Sequence, residues 1–374
     1  MIRVLHMIGT LGIGGSQAFV MNMYRAINRE EMQFDFIIDH PHLNYYIPEI
    51  EKMGGRVYQL PLFNGKNFFH VRKAWKKFFE THPEYKILHS HVRSYASIYL
   101  PIAREHGVKT IIHSHATSNG KGFYAAVKAV LQFPLRFQAD CYMACSHAAG
   151  EWLFGKRICR SNKFKLIKNA INTEEFVFEE KKRTEICKEF GIDKQFVVGF
   201  LARVSEAKNP MFALDVIKHL SGIKPDSVML FVGDGEMLSE VKKRAKELGL
   251  ESRVIFTGAR TDTGKLLSAM DCYILPSLWE GLGISLIEAQ VSGIQCICSE
   301  AIQDEAIITE NVHRLSLASG ARCWADYIAD LDNTNRRSDC AKNAIEAGFD
   351  VRSNAEYMQN LYRSLINDES GEDS

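Results

Sequence analysis

The chain has 374 residues, 46% hydrophobic and 24% charged, with a formal net charge of +1 from 46 basic and 45 acidic side chains. That length suits two domains of about 100–200 residues each, and the even charge excludes a global pull toward nucleic acid. No run nears the ~18 apolar residues of a membrane span. The first residues lack the basic stretch and long apolar core of a signal peptide. Nine cysteines with no C-x-x-C pair suit the reduced thiols of a cytosol.

In chain order, residues 4–8 read as a strand. A Gly-rich turn follows, then a helical pattern over 16–28. Strands are expected at 34–38, 56–59, 87–89, 110–112 and 141–144, and Ser146 is placed to cap the next helix. These runs are apolar on both faces and are joined by helix-length segments, the pattern of a parallel sheet covered on both sides. Around 163–172 the pattern loosens, and 174–183 is charged and expected to be exposed. A second series begins at 196–201 and continues at 228–232, 254–257, 272–275 and 295–298. The fold class is therefore α/β: two doubly wound, Rossmann-like domains facing a central cleft, over 1–180 and 181–350. A last helix within 351–374 is expected to pack back toward the first domain, with a frayed tail.

Three loops carry chemistry. Gly12-Ile13-Gly14-Gly15 opens a helix and offers backbone amides to an anion; a tight strand-to-helix turn is the plainer reading. Pro276-Ser277-Leu278-Trp279-Glu280-Gly281-Leu282-Gly283 leads into a helix over 284–291. Glu280 falls at the carboxyl end of a strand and Glu288 about two turns into the helix, with seven residues between them. Gly281 and Gly283 let backbone amides approach a ligand. One carboxylate is thus expected at a sugar and the other at a ribose diol, with a diphosphate near the helix N-terminus. Arg203 and Lys208, on the loop after the first strand of the second domain, supply cations for a leaving diphosphate. Ordinary surface charge would account for either one alone.

Glu280 and Glu288, the Arg203…Lys208-Asn209 loop, Gly14-Gly15 and Val232-Gly233-Asp234-Gly235 together resemble the signature of glycosyltransferase family 4, along nearly the whole chain. The stretch from Pro276 to Gly281, followed by Ser285-Leu286-Ile287-Glu288-Ala289-Gln290, is similar to bacterial capsule and exopolysaccharide transferases. The sequence departs from the family pattern at Asn169-Ala170-Ile171-Asn172 and at Ala202-Arg203. The resemblance implies the GT-B fold and a hexosyl or N-acetylhexosaminyl transferase. Such an enzyme retains anomeric configuration and needs neither cofactor nor metal. It implies a nucleotide-sugar donor, with UDP expected, and a glycan acceptor, possibly on a lipid. Glu280, His115, Arg203 and Lys208 are then the expected catalytic residues. Gly14, Gly15, Arg203, Lys208, Glu280, Gly281, Leu282, Gly283 and Glu288 are expected to bind the donor.

His89-Ser90-His91 and His113-Ser114-His115 each follow a strand. His-x-His can ligate zinc, but no Cys or acid lies beside these pairs at metal-like spacing. The resemblance instead places His115, with His113 in reserve, near the donor sugar; for His89 and His91 a hydrogen-bonded structural role weighs equally with a role in the site. Lys66, Arg72, Lys73, Lys76 and Lys77 interleave with Phe68, Val71, Trp75 and Phe78. Such a helix can lie on an anionic membrane or bury its aromatic face on the sheet. The stretch 121–138, with Lys121, Lys128, Arg136, Phe123, Tyr124, Phe133 and Phe137, is of the same kind, so a peripheral protein on the cytoplasmic face is expected. Two other functions compete: a nicotinamide oxidoreductase using the loop Gly12–Gly15 and Asp39, and an inactive nucleotide-sugar sensor.

Overall fold

Two parallel sheets form because runs of Val, Ile, Leu and Phe are buried on both faces and return through helices. The computed structural model describes residues 1–12, 15–40, 45–115, 123–331 and 340–367, with 123–127 by backbone alone. The chain divides into unit 1, Met1–Ala170 with Asp350–Ser374, and unit 2, Ile171–Phe349.

Unit 1 contains β1 Ile2–Gly9, β2 Met32–Ile38, β3 Val57–Gln59, β4 Ile87–Ser90, β5 Lys109–Ser114, β6 Cys141–Ala144 and β7 Phe164–Leu166. Their order is β3-β2-β1-β4-β5-β6-β7, all parallel. Strand alternation sends Val4 and Ile8 to one face, where Phe19, Val20 and Tyr24 of the helix Gly15–Ala26 meet Met358 and Tyr362 of the helix Val351–Asn367. Leu5 and Met7 go to the other face, against Val71, Trp75 and Phe78 of the helix Phe68–Thr81. The aromatic face of that helix is thus core, and Lys73, Lys76 and Lys77 stand exposed behind it. Ser146 Oγ accepts the Ala149 N–H at 3.1 Å and caps the helix His147–Phe154.

Unit 2 contains β8 Phe196–Leu201, β9 Ser227–Val232, β10 Val254–Gly258, β11 Cys272–Leu275, β12 Gln295–Ser299 and β13 Val312–Leu315. Their order is β10-β9-β8-β11-β12-β13. The divide between the units lies ahead of residue 180, because Ile171 and Phe176 sit in the core of unit 2 with Leu266, Ile287 and Phe349. Within the charged stretch expected to be exposed, Phe176 is therefore buried.

In each sheet the strand order reverses beside the first strand, between β1 and β4 and between β8 and β11. Loops at the carboxyl ends of such neighbouring strands part there and leave a crevice. The loop after β9 must pass close under the loop after β8. Gly233 has φ +141°, and a Cβ there or at Gly235 would overlap the carbonyl oxygens of Ala202 and Val204 respectively. Gly233→Ala should therefore cost about 1–3 kcal/mol, read as a lowered urea midpoint. Gly222→Ala, in a helix with open space around its Cβ, should instead stabilise by roughly 0.5–1 kcal/mol. Equal midpoints for the two variants would refute this account of the loop.

Candidate active site

The loops after β8 and β11 are tied backbone to backbone: Leu278 N–H donates to the Ala207 carbonyl at 2.8 Å. A short 3₁₀ turn, Glu206–Lys208, carries Lys208 to that junction. Asn209, at φ 51°, then turns the chain into the helix Pro210–Ile223. Asn tolerates this left-handed conformation better than most residues, and Pro210 suits the first helical position. Lys208 Nζ donates to Glu280 Oε2 as an ion pair. Ser277 Oγ donates to the same oxygen at 3.3 Å, and Gly281 N–H donates to Oε1 at 3.1 Å. The Ser277 carbonyl in turn accepts from buried Ser299 at 2.6 Å. Side-chain exposures of 19% for Lys208 and 10% for Glu280 mark a sheltered pair.

Gly283, at φ 80°, reverses the chain into the helix Ile284–Val291. The first N–H groups of a helix have no intrahelical partner and point toward whatever lies ahead of it. Beneath this loop, the buried Tyr273 hydroxyl donates to the Leu201 carbonyl at 3.2 Å and bonds Ser285 Oγ at 2.9 Å. Glu288, on the same helix, is half-buried. Desolvation, and then repulsion from Glu175, push its carboxyl up to about 8. Arg203 is not drawn into the group: it is 74% exposed and pairs with Glu236 on the surface. Gly15 begins the helix Gly15–Ala26, and Gly14 lies outside the described residues. Ser277, which helps hold Glu280, was not singled out in the sequence.

In unit 1, His115 follows β5 and its Nε2 lies 2.8 Å from His91 Nδ1. It belongs to a larger set that also contains His6, His89 and His113. His6 escaped the sequence reading because it stands alone on β1. Its parity with Val4 and Ile8, together with the parity of the two His-x-His pairs, was the available signal. Burial lowers His6 and His115 to about 3 and holds His89, His91 and His113 well below the usual imidazole value. All five are neutral at physiological pH.

Two family models cover most of the chain: "Glycosyltransferase Family 4" over residues 13–175 and "Glycosyl transferases group 1" over 182–347. The protein named "Putative glycosyltransferase EpsF" of Bacillus subtilis (strain 168) is 30% identical over 369 residues, 96% of this chain and 96% of its own. The chain belongs to glycosyltransferase family 4. A UDP-Gal:alpha-D-GlcNAc-diphosphoundecaprenol alpha-1,3-galactosyltransferase of Escherichia coli is 26% identical over 303 residues, 76% of each chain. The solved structure of Anabaena HepE in complex with UDP and glucose matches with a TM-score of 0.75 at 19% identity. That match covers 97% of this chain and 100% of that one, and it shows a shared GT-B fold.

The family assignment removes the oxidoreductase alternative. Asp39 is also already engaged: Tyr95 donates to one of its oxygens, and His40 Nδ1 lies 2.6 Å from the other. The raised Glu288 carboxyl has a consequence for stability. Between about 4.5 and about 8 the folded chain keeps a proton that the unfolded chain sheds. Glu288 therefore makes unfolding easier as pH rises through that window. Glu288→Gln should flatten the fall in melting temperature between pH 5 and pH 8, while identical pH profiles would show that Glu288 ionises normally.

Proposed function

We propose that this glycosyltransferase moves a sugar, with retention of configuration, from UDP to a lipid-linked glycan acceptor in exopolysaccharide or capsule synthesis. The observation that carries the reading is the Lys208–Glu280 pair, sheltered where β8 and β11 part and adjoining the N-terminus of the helix Ile284–Val291. A carboxylate fixed by three donors is held oriented for sugar hydroxyls, and a cation beside it meets charge developing on the leaving diphosphate. Glu288 holds the ribose, Arg203 adds a movable surface cation, and His115 takes part in handling the sugar. Gly281, Leu282 and Gly283 bring backbone to the donor. The leaving phosphate accepts the acceptor's proton, so no protein nucleophile is assigned. Support for UDP comes from the HepE complex and the E. coli relative, and support for a lipid acceptor from the diphosphoundecaprenol in that relative's name.

Binding and turnover separate these roles. A nucleotide-sugar panel should show thermal stabilisation and slow donor hydrolysis with a UDP-sugar; binding without turnover would favour a sensor. Lys208→Ala should lower turnover about 10²–10³-fold in a folded protein. Glu280→Gln should lower turnover more than affinity, and Glu288→Gln affinity more than turnover, because a ribose contact is alike in ground and transition states. Activity is expected to survive excess chelator; an absolute need for magnesium or manganese would overturn the assignment of the diphosphate to side chains and a helix end.

Among the described residues no helix is long and apolar enough to cross a membrane. The surface case for a membrane moves to 128–137, where Val130, Phe133 and Phe137 are exposed beside exposed Lys128, and Arg136 lies over the Phe133 ring at 5.3 Å. Phe68 and Phe69 are exposed at the start of the basic helix. Lys121 and the side chains of Phe123 and Tyr124 lie outside the described residues. A few basic residues at about 1 kcal/mol each give reversible attachment, consistent with a peripheral protein on the inner face of the cell membrane. Co-sedimentation should require anionic liposomes, weaken with salt and fall in a Phe133→Ser/Phe137→Ser variant. Wild type remaining in the supernatant throughout would favour a soluble acceptor.

A further inference from the structure

The histidines of unit 1 form a polar core for which sugar transfer has no use beyond His115. Register places His6 opposite His89 across β1 and β4, and Ile111 opposite His89 across β4 and β5. Alternation along the strands therefore brings His6, His89, His91, His113 and His115 to one face. There they lie among Phe19, Phe34 and Tyr362.

The ring nitrogens pair largely with one another. His6 Nδ1 is 3.1 Å from His91 Nε2, and His89 Nε2 is 3.3 Å from His113 Nδ1. His89 Nδ1 is 2.7 Å from the Tyr362 hydroxyl. His6 Nε2, His113 Nε2 and His115 Nδ1 are buried with no hydrogen-bond partner, and His6 itself is only 2% exposed. No carboxylate bonds any of the five among the described residues. A buried, unpaired polar atom is destabilising, and phenylalanine would fill the same positions without that penalty. What such a core does offer is a close set of imidazole nitrogens, the donor that divalent transition metals bind.

We propose that His6, His89 and His91 form a binding site inside unit 1 for a divalent transition metal, zinc foremost. Each offers one nitrogen, and the three nitrogens lie within 4.8 Å of one another. His6 Nδ1 and His91 Nε2 already stand 3.1 Å apart, near the ~3.3 Å between two ligands each 2.0–2.1 Å from a tetrahedral zinc. Uncharged imidazoles suit zinc, copper and nickel rather than magnesium or calcium. Two of the three ligand rings, His89 and His91, also have their other nitrogen held. His89 Nδ1–H donating to Tyr362 leaves Nε2 for the metal. An ion on His91 Nε2 leaves Nδ1–H to donate to His115 Nε2, fixing the tautomer of His115. The other three-histidine group among the described residues, His91, His113 and His115, shares His91 with this triad; it would use up His115 and is not chosen.

The test uses full-length protein purified without metal resin and stripped by dialysis against a chelator. Co²⁺ is titrated in and its visible d–d absorption recorded. Zinc per chain is then measured by elemental analysis after gel filtration, and melting is followed with and without Zn²⁺. Wild type should take up one Co²⁺ with the intense absorption of a tetrahedral site, exchange it for zinc and melt higher. His6→Phe, whose ring would rest against Phe34, should melt cooperatively and lose all three signals; His91→Asn replaces it if it does not fold. His115→Ala should keep its metal. Folded wild type that takes up no metal, uptake unchanged in His6→Phe, or loss in His115→Ala equal to that in His6→Phe would each overturn the proposal.

Discussion

The arrangement around Lys208 and Glu280 rests on one backbone hydrogen bond between loops, Leu278 N–H to the Ala207 carbonyl. It joins the loops after β8 and β11 where Lys208 and Glu280 pair. An exposed pair contributes little, about 0–1 kcal/mol, because water and side-chain entropy oppose it. Here the loops are fixed first and the charges then meet in a sheltered place, so the entropy of bringing them together is already spent. The comparison lies within the same loop: Arg203, five residues before Lys208, pairs with Glu236 in solvent. That pair has the exposure expected of surface charge.

Glycine makes the close approach possible. The loop after β9 passes the Ala202–Val204 backbone so tightly that Val204 N–H reaches the Asp234 carbonyl at 2.9 Å and Met237 N–H reaches the Val204 carbonyl at 3.1 Å. These bonds brace the Arg203–Lys208 loop from the side opposite β11. The motif from Val232 to Gly235 thus acts on the site through the position of a neighbouring loop.

Much of this was readable from residue order. The strands at 196–201 and 272–275 are short apolar runs, and the loop 276–283 before an apolar helical stretch gave both the position and the spacing of Glu280 and Glu288. What escaped has physical reasons. β7, Phe-Lys-Leu, and β13, Val-His-Arg-Leu, are edge strands that are not fully buried, so polar residues interrupt the pattern that marks a buried strand. Phe176 follows two glutamates, and only tertiary packing shows that it belongs to a core. The basic helix Phe68–Thr81 was ambiguous because one periodicity serves a membrane and a sheet equally well; Trp75, buried against Tyr99, decides for the sheet. His6 needed strand register, which no local pattern encodes.

The two glutamates illustrate how one short segment can hold two carboxyl groups in different surroundings. Glu280 accepts from an ammonium, a hydroxyl and an amide. Glu288 has desolvation and the charge of Glu175 working against ionisation. In the proposed reading, Glu280 has its orientation set before the sugar arrives, and a Glu288 that keeps its proton near neutrality can donate one hydrogen bond and accept another, as a pair of ribose hydroxyls requires. A diphosphate arriving nearby would also meet one negative charge fewer. The helix that carries Glu288 thus keeps its positive end effective toward the anion, and the apolar burial that raises the carboxyl is the same packing that holds the helix in place.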